Sequence, residues 1–360
     1  MQVARAFLAA LMLGASAVAA ACPICLGAGQ HTVAQYLSAA QQAVLAAPTG
    51  DAGRFRVIEV LHGDRPSSPT VAGGYPRKAS AVATAPRKNE ALLLVREDPF
   101  PDWIALGAIG IDQAPWLRKL AVGKHSEEIG AQEWRDRVAL VVPRLESPQP
   151  LVARIAYGEL SAAPYAAMRS AKPLLDARKV RVWLADPNLT ARSRLYLLLI
   201  GIAGTVEHDA VVIEQRLEVA WQSGDAANLA SLLTADLELR GARRVAWIEE
   251  KYLRDRARSA QEIEAALLAL SVQGNAHGVI PRERVIQAYR GYMKAHPDNA
   301  GAVAADLADW GYWDAVPEYQ ALMNSSVRQR PASLLAIKAY LQKSSVAKVS
   351  GSSAEASRAP

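Results

Sequence analysis

The residues of this sequence that could do chemistry, by their type and spacing, are two cysteines, Cys22 and Cys25, in the motif Cys-Pro-Ile-Cys. A Cys-x-x-Cys motif supports redox chemistry when it follows a strand and opens a helix, because the helix dipole lowers the thiol pKa. No strand precedes the motif here. Two cysteines also fall short of the four ligands that a closed zinc site requires. The motif therefore favours a local disulfide, and redox chemistry is the alternative.

The histidines, glycines and carboxylates add no second motif. The six histidines are His31, His62, His125, His208, His277 and His296. No two of them stand at metal-binding helical spacing, and no phosphate-binding loop or Gly-x-Ser-x-Gly nucleophile elbow occurs. A c-type haem would need a histidine after the second cysteine, where Leu26 stands. We expect each histidine on the surface or in a loop, and the sequence predicts no catalytic residue, metal or cofactor.

The N-terminus has the three regions of a secretory signal. A basic start at residues 1–5 precedes an apolar run at 6–13, and small residues are frequent at 14–21. The apolar run is too short to span a bilayer, which needs about 20 apolar residues. The sequence therefore predicts a signal peptide over residues 1–21 and a periplasmic or extracellular mature protein.

Cleavage after Ala21 would make Cys22 the first residue of the mature chain. Because lipoproteins carry their lipid on a cysteine that follows the small residues of the signal, a membrane-anchored lipoprotein is an alternative. Such signals usually have Leu where Ala19 stands. The most apolar later stretch, residues 195–203, is too short to cross a membrane and predicts a buried helix.

The composition is that of an ordinary globular protein. The 360 residues are 51% hydrophobic and 21% charged, and the net charge is +6. This length predicts two domains with room for a sizeable core. Acidic residues interleave with the basic clusters at 240–244 and 254–258, which favours a solvated helix face over a nucleic-acid surface.

Residues 22–145 are predicted to form a small β-rich domain. Three segments carry the strand signal: 54–61, which alternates, and the apolar runs 91–95 and 102–111. Thr32 is a candidate N-cap for a short helix before them, and residues 67–88, with proline and paired glycine, indicate a loop. Short strands with this punctuation predict a small barrel or sandwich.

Prolines mark residues 146–150 as a linker. From 151 to 342 the apolar period becomes helical, and helix pairs recur at about 40 residues, the spacing of HEAT-like repeats. No strict consensus repeats, so we expect a degenerate helical repeat domain. Residues 343–360 are rich in Ser and Ala and predict a disordered tail.

Four aromatic residues, Trp310, Tyr312, Trp313 and Tyr319, cluster near the C-terminus. Packing in the core at the last helical turns is one interpretation. The other is a partner-binding groove on the concave face of the repeat domain.

The start Cys22-Pro-x-Cys25, the segment 55–63 and the stretch 163–188 together resemble exported bacterial proteins of unknown function, in which a small β-domain precedes helical repeats. The cysteine pair ahead of Val-x-Glu-Val-Leu-x-Gly at 57–63 is also remotely similar to netrin-like and metalloproteinase-inhibitor domains. That similarity implies an OB-type barrel. The chain lacks the later cysteines of those domains, so the similarity transfers neither inhibitor activity nor functional residues.

These observations predict an α+β multidomain protein, with a small β-barrel or sandwich followed by an α-helical, HEAT-like repeat domain. Because no catalytic constellation is recognisable, we expect an exported, non-enzymatic protein that binds a protein partner and not nucleic acid. The alternatives are thiol-disulfide activity at Cys22 and Cys25, and inhibition of an exported protease.

Overall fold

The computed structural model describes residues 24–25, 32–51, 53–76, 86–97, 102–120, 129–275 and 278–356. A small five-stranded sheet lies in the first third of the chain, and most of the helices follow it, as expected for an α+β protein. The strands are β1 Gln42–Pro48, β2 Arg54–His62, β3 Thr70–Pro76, β4 Glu90–Arg96 and β5 Trp103–Gly110.

The strands are hydrogen-bonded in the closed order β1-β2-β3-β5-β4, since β1 pairs with both β2 and β4. Neighbours run antiparallel except β3 and β5, which are parallel. Strand β3 lies within the segment that the sequence indicated as a loop. Its glycines lower the β-propensity, but Gly73, at φ +124°, allows a close approach to β5: a Cβ there would lie 2.9 Å from the Trp103 carbonyl oxygen.

Strands β1, β4 and β5 are buried on both faces. Val44, Leu94 and Trp103 form one apolar cluster with half-buried side chains of β2. The intervening Leu45 and Leu93 belong to a larger core that the strands share with the helices. Two-sided burial explains why these segments are continuous apolar runs, whereas β2, which has one exposed face, alternates.

Four helices lie on or beside the sheet. They are α1 Val33–Ala39, α2 Ala114–Lys119, α3 Ala131–Val141 and α4 Pro150–Ala162. Thr32 caps α1 as predicted: its Oγ1 accepts from the Gln35 backbone N–H at 3.2 Å, and Gln35 Oε1 accepts from the Thr32 N–H at 2.7 Å. Helix α4 packs tightly on α1, where a Cβ at Gly158 would lie 2.9 Å from Ala34 Cβ.

The segment predicted as a linker, residues 146–150, contacts both the sheet and the helices. Gln149 Oε1 accepts from the Gly110 N–H at the end of β5, at 3.1 Å. Glu146 Oε1 accepts from Arg192 Nη1 at 2.6 Å. These bonds join the two halves of the molecule, and the domain boundary at this segment stays a prediction.

The remaining helices form a continuous array. They are α5 Tyr165–Arg169, α6 Ala177–Ala185, α7 Ser193–Ala203, α8 Asp209–Ser223, α9 Leu229–Arg240, α10 Arg243–Ile248, α11 Ala260–Asn275, α12 Arg282–Ala295, α13 Ala304–Asp309, α14 Val316–Met323 and α15 Pro331–Ala356. Helix α7 packs between α6 and α9, and eight of its residues are buried. This confirms the buried helix predicted at 195–203. Helices pack on their neighbours in sequence, but a HEAT-like repeat is not confirmed.

Helix α15 continues past residue 342, where the sequence predicted a disordered tail to begin. Lys343 Nζ lies 3.1 Å from Asp309 Oδ1, and Ser344 is buried. These contacts fix the first turn beyond residue 342 against α13. In the part of the chain that the structure describes, no helix combines the length and the apolar character needed to cross a membrane.

Candidate functional site

An open groove runs along helix α8. Its floor is formed by Leu197 and Ile200 of α7, and its walls include Leu184 of α6 and Val212 of α8. Two adjoining depressions, of about 440 and about 370 Å³, make up the groove and share Leu197, Val212 and Arg216. This feature is named the α8 groove.

Apolar side chains on α8 remain in water beside the groove. Val212, which is 47% exposed, and Val219, which is 65% exposed, line the groove, and Val211, which is 50% exposed, lies outside its lining. Burying a valine side chain completely is worth about 1.5–3 kcal/mol, so this helix face leaves favourable burial unused. Single exposed apolar residues are ordinary, whereas a group of them next to a groove is typical of an interaction surface.

A bidentate ion pair lies at one end of the α8 groove. Arg181 Nε donates to Asp209 Oδ1 at 2.7 Å, and Arg181 Nη2 donates to Oδ2 at 2.8 Å. The Thr205 backbone N–H also donates to Oδ2, at 2.9 Å. Burial raises the pKa of the Asp209 carboxyl, but the hydrogen bonds and the guanidinium charge outweigh it, and the pKa lies below its usual value. Asp209 is therefore an anion that joins α6 to the start of α8, and it is poorly suited to act as a base.

Arg216 is exposed at the centre of the groove, where the two depressions meet. It forms no ion pair with any other residue that the structure describes. Asp225 lies at the opposite end from Arg181, and its Oδ1 accepts from the Ala227 N–H at 2.8 Å. The groove thus combines an apolar floor with an accessible cation in its middle.

A second, more polar cavity of about 560 Å³ lies elsewhere along α7 and contains Glu238. The Glu238 carboxylate accepts from Arg169 Nε at 2.8 Å, from Tyr165 OH at 3.3 Å and from Gln273 Nε2 at 3.2 Å. Three donors satisfy this carboxylate and tie α5, α9 and α11 together. These three hydrogen bonds account for the carboxylate of Glu238 as a structural contact between helices, and no ligand is needed to explain it.

Cys25 lies deep in the protein. It is 4% exposed and belongs, with Ile24, to the core cluster that contains Val33 and Leu37 of α1. Reactive cysteines are partly exposed, because a substrate must reach the thiolate. This position favours a structural role over a redox role. Cys22 lies outside the described residues, so the disulfide and the lipid anchor stay predictions.

Two of the four aromatic candidates are fixed by packing. Tyr319 has no exposed surface, and its hydroxyl donates to the Ala300 carbonyl at 3.2 Å. Trp310 stacks on Tyr289, with ring centroids 5.6 Å apart, and its Nε1 donates to Asn275 Oδ1 at 2.6 Å. A partner cannot contact Tyr319 in the folded protein, so this residue belongs to the core and not to a binding surface.

The other two aromatic candidates contact helix α15. The Trp313 ring lies 5.3 Å from that of Tyr340, and Tyr340 OH donates to the Tyr312 carbonyl. Trp310, Tyr312 and Trp313 are all half-buried. They brace the C-terminal helices, and a contribution from them to partner binding stays a prediction.

No metal site is visible in the described ranges, where no three His, Cys, Asp or Glu side chains lie close enough to share an ion. Three histidines lie outside those ranges: His31, His125 and His277.

His296, expected on the surface, is buried. Its Nε2 lies 2.9 Å from the Leu253 carbonyl oxygen, and its ring stacks on that of Tyr292, with centroids 4.9 Å apart. The packing of α12 on the π-helical segment Glu249–Leu253, which precedes α11, overrides the loop signal that Pro297 gives next to His296.

The helical periodicity of the sequence did not predict the α8 groove. Helix α8 has more apolar residues than one buried stripe can use. The structure buries Ile213 and Leu217 and leaves Val211, Val212 and Val219 in water. The signal available in the sequence was this surplus of β-branched apolar residues on a single helix.

Comparison with known protein families, with curated proteins and with solved structures finds no match in any of the three. The geometry of the α8 groove is therefore the basis for assigning a function.

Proposed function

We propose that this chain is an exported, non-enzymatic protein that binds a partner protein in the α8 groove. The observation that carries the proposal is the group of exposed valines on α8 beside an apolar floor. Covering such a surface is favourable because it removes apolar area from water. The signal-like residues 1–21 support export to the periplasm or the exterior.

The sheet acts as a support in this proposal. Its closed strand order, with a parallel β3–β5 pair, favours a barrel over a sandwich and is compatible with the OB-type barrel that the sequence similarity implies. Helices cover the β1, β4 and β5 side of it. The helical half then forms a degenerate repeat array, and binding is assigned to its surface.

Two alternatives have weaker support. A thiol-disulfide function requires an accessible thiol, and Cys25 is buried. Inhibition of an exported protease rests on the OB-type resemblance of the sheet, and shared architecture does not carry activity. A panel of metalloproteases assayed with the purified protein addresses the second alternative directly.

Site-specific photo-crosslinking in the native host tests the binding proposal. A crosslinking amino acid replaces Val219, and the matched control replaces Leu335, which is 70% exposed on α15. We expect a discrete protein adduct from position 219 that position 335 does not give, and we expect Val212→Asp to abolish it. Equal adducts from both positions, or none from position 219, would contradict the proposal.

Intact mass tests export and the state of the cysteines together. We expect protein recovered from the cell envelope to have the mass of residues 22–360 less two hydrogens, because the proposal includes cleavage after Ala21 and a disulfide. A larger mass with an acyl increment would indicate lipid at Cys22. A mass that begins at Met1 would refute export.

A further inference from the structure

The α8 groove has the dimensions of a helix-binding site. Helix α8 has 15 residues, which at 1.5 Å per residue gives a groove about 22 Å long. Leu197 and Ile200 of α7 make the floor apolar beneath the first depression, Leu197 also contributes to the second, and Ser193 of α7 adds a hydroxyl at the far end. A partner that fills it continuously needs an apolar stripe of about four helical turns.

The accessible charge in the middle of the groove is positive, and the exposed carboxylate of Asp225 lies at one end. Arg216 at its centre is exposed and pairs with no carboxylate among the described residues. Asp209, which also lines the groove, is buried and already holds the guanidinium of Arg181. A partner in the groove therefore meets the unneutralised guanidinium of Arg216 on α8.

We infer that the partner segment is an acidic amphipathic helix, with apolar residues on the groove floor and a carboxylate against Arg216. This inference rests on the proposed function and specifies the chemistry of the partner. Charge-assisted hydrogen bonds to an arginine are about twice as strong as neutral ones. They also select against a basic helix, which would bring like charges together.

Asp225 sets a direction for the bound helix. It is the acidic group at the end of the groove away from Arg181. The N-terminus of a helix carries about half a positive charge. The N-terminus of the partner helix is therefore placed beside Asp225, and its acidic residues beside Arg216 and Arg181.

A second copy of this chain is a poorer occupant than an acidic helix. Val212 and Val219 lie on either side of Arg216 along α8. A two-fold dimer that buried both valines would place the axis near Arg216, because a two-fold interface matches each patch with itself. The two Arg216 guanidiniums would then face each other without a counter-charge.

Binding of designed peptides to the full mature protein tests the inference. The probe is a 4-turn fluorescent helix with Leu at the groove positions and Glu elsewhere, and the matched control peptide has Lys in place of every Glu. We expect the acidic peptide to bind at least about 10-fold more tightly by fluorescence anisotropy, a difference of about 1.4 kcal/mol. The preference should shrink as salt screens the exposed charges.

Three variants assign the binding to the groove. Arg216→Glu should reverse the charge preference of the two peptides. Val212→Asp with Val219→Asp should abolish binding of both, whereas Leu335→Asp, at an exposed apolar residue on α15, should change neither. All substituted side chains are exposed, and circular dichroism with thermal unfolding checks that each variant folds.

The outcomes separate this inference from the proposed function. If the basic peptide binds as tightly as the acidic one, or if Arg216→Glu changes nothing, the acidic partner is wrong, while the adduct at position 219 still supports a binding groove. Self-association in sedimentation equilibrium that Val219→Asp abolishes would replace the acidic helix by a second copy. Absence of peptide binding together with absence of the adduct would refute both.

Discussion

The sheet and the helical array bury their interiors in different ways. From β1 to β5 every buried side chain that the structure describes is apolar, except Gln42. The helices from α3 onward bury charged side chains as well: Arg137, Glu159, Asp209, Asp236, Glu249 and Glu262. In a sheet, backbone hydrogen bonds between strands fix the position of each strand. A helix makes its backbone hydrogen bonds internally, so side chains must fix how it sits on its neighbour.

Arginine–carboxylate pairs fix the position of one helix on its neighbour. Arg284 of α12 donates twice to Glu249 of the π-helical segment, at 2.9 Å in each case. Arg181 joins α6 to Asp209 of α8 in the same bidentate way. Because such pairs are directional and apolar contacts are not, we interpret the charged pairs as setting helix register, and the apolar core as supplying most of the stability.

The buried pair Arg137–Glu159 gives the strongest test of this comparison. Arg137 Nη1 donates to Glu159 Oε2 at 3.1 Å, and both side chains are nearly inaccessible. Arg137→Met should cost about 3–5 kcal/mol of unfolding free energy, because it leaves Glu159 buried without its cation. In urea unfolding, the double variant Arg137→Met with Glu159→Leu should recover most of that loss. If the double variant is as unstable as the single one, the penalty does not come from an isolated buried charge.

The apolar side of the comparison is tested at β4. Leu94 is completely buried, so Leu94→Ala should cost about 2–5 kcal/mol through lost burial and a cavity. The matched control is Ile58→Ala on β2, where the side chain is 38% exposed, and its loss should be clearly smaller. A second substitution should not restore the stability lost in Leu94→Ala, because that variant leaves no buried charge without its partner. Equal losses of unfolding free energy at the two positions would mean that side-chain burial does not determine the stability of the sheet.

Much of the sheet could be predicted from the sequence, and the reasons are local. The alternating segment 54–61 and the apolar runs 91–95 and 102–111 are strands β2, β4 and β5. Thr32 and Gln35 form a capping box that depends only on residues three apart. Strand β3 could not be predicted, because its pairing depends on the close approach of Gly73 to β5, and no local pattern encodes that contact.

The candidate site could be predicted much less well than the fold. The α8 groove is formed by α6, α7 and α8 together, and periodicity shows that each is a helix without showing which face stays uncovered. Of the two interpretations of the aromatic cluster, core packing describes Tyr319, which the neighbouring helices bury completely. Cys25 was identified by spacing, but its burial against α1 depends on tertiary packing.

Two helical glycines sharpen the comparison at helix–helix contacts. Gly201 of α7 faces α9 so closely that a Cβ would lie 2.7 Å from Ala235 Cα, whereas Gly291 of α12 has nothing within 4 Å. Gly201→Ala should destabilise the protein by about 1–3 kcal/mol through overpacking. Gly291→Ala should stabilise it by up to about 1 kcal/mol, because alanine favours the helix. Thermal unfolding should therefore shift in opposite directions, and a shift in the same direction would show that α7 and α9 are not in fixed contact.

The smallest expected effect concerns two carboxyls of the helical array and pH. The pKa of Asp209 is lowered, because hydrogen bonds and the charge of Arg181 outweigh the effect of burial. The pKa of Asp306 is raised by burial, and its carboxyl accepts hydrogen bonds from the hydroxyl groups of Tyr289 and Ser271. A lowered pKa contributes stability above the usual value of 3.8 that is lost as the pH falls through the folded value. Asp209→Asn should therefore cost about 1 kcal/mol at neutral pH, allowing for the exposure of Arg181, and almost nothing in acid.

A raised pKa, as at Asp306, acts in the opposite sense, because the stability it contributes is present in acid and is lost as the pH rises through the folded value. Asp306→Asn should therefore become relatively more favourable from acid to neutral pH in urea unfolding. Parallel pH profiles for the two variants would show that a paired cation does not distinguish these carboxyls.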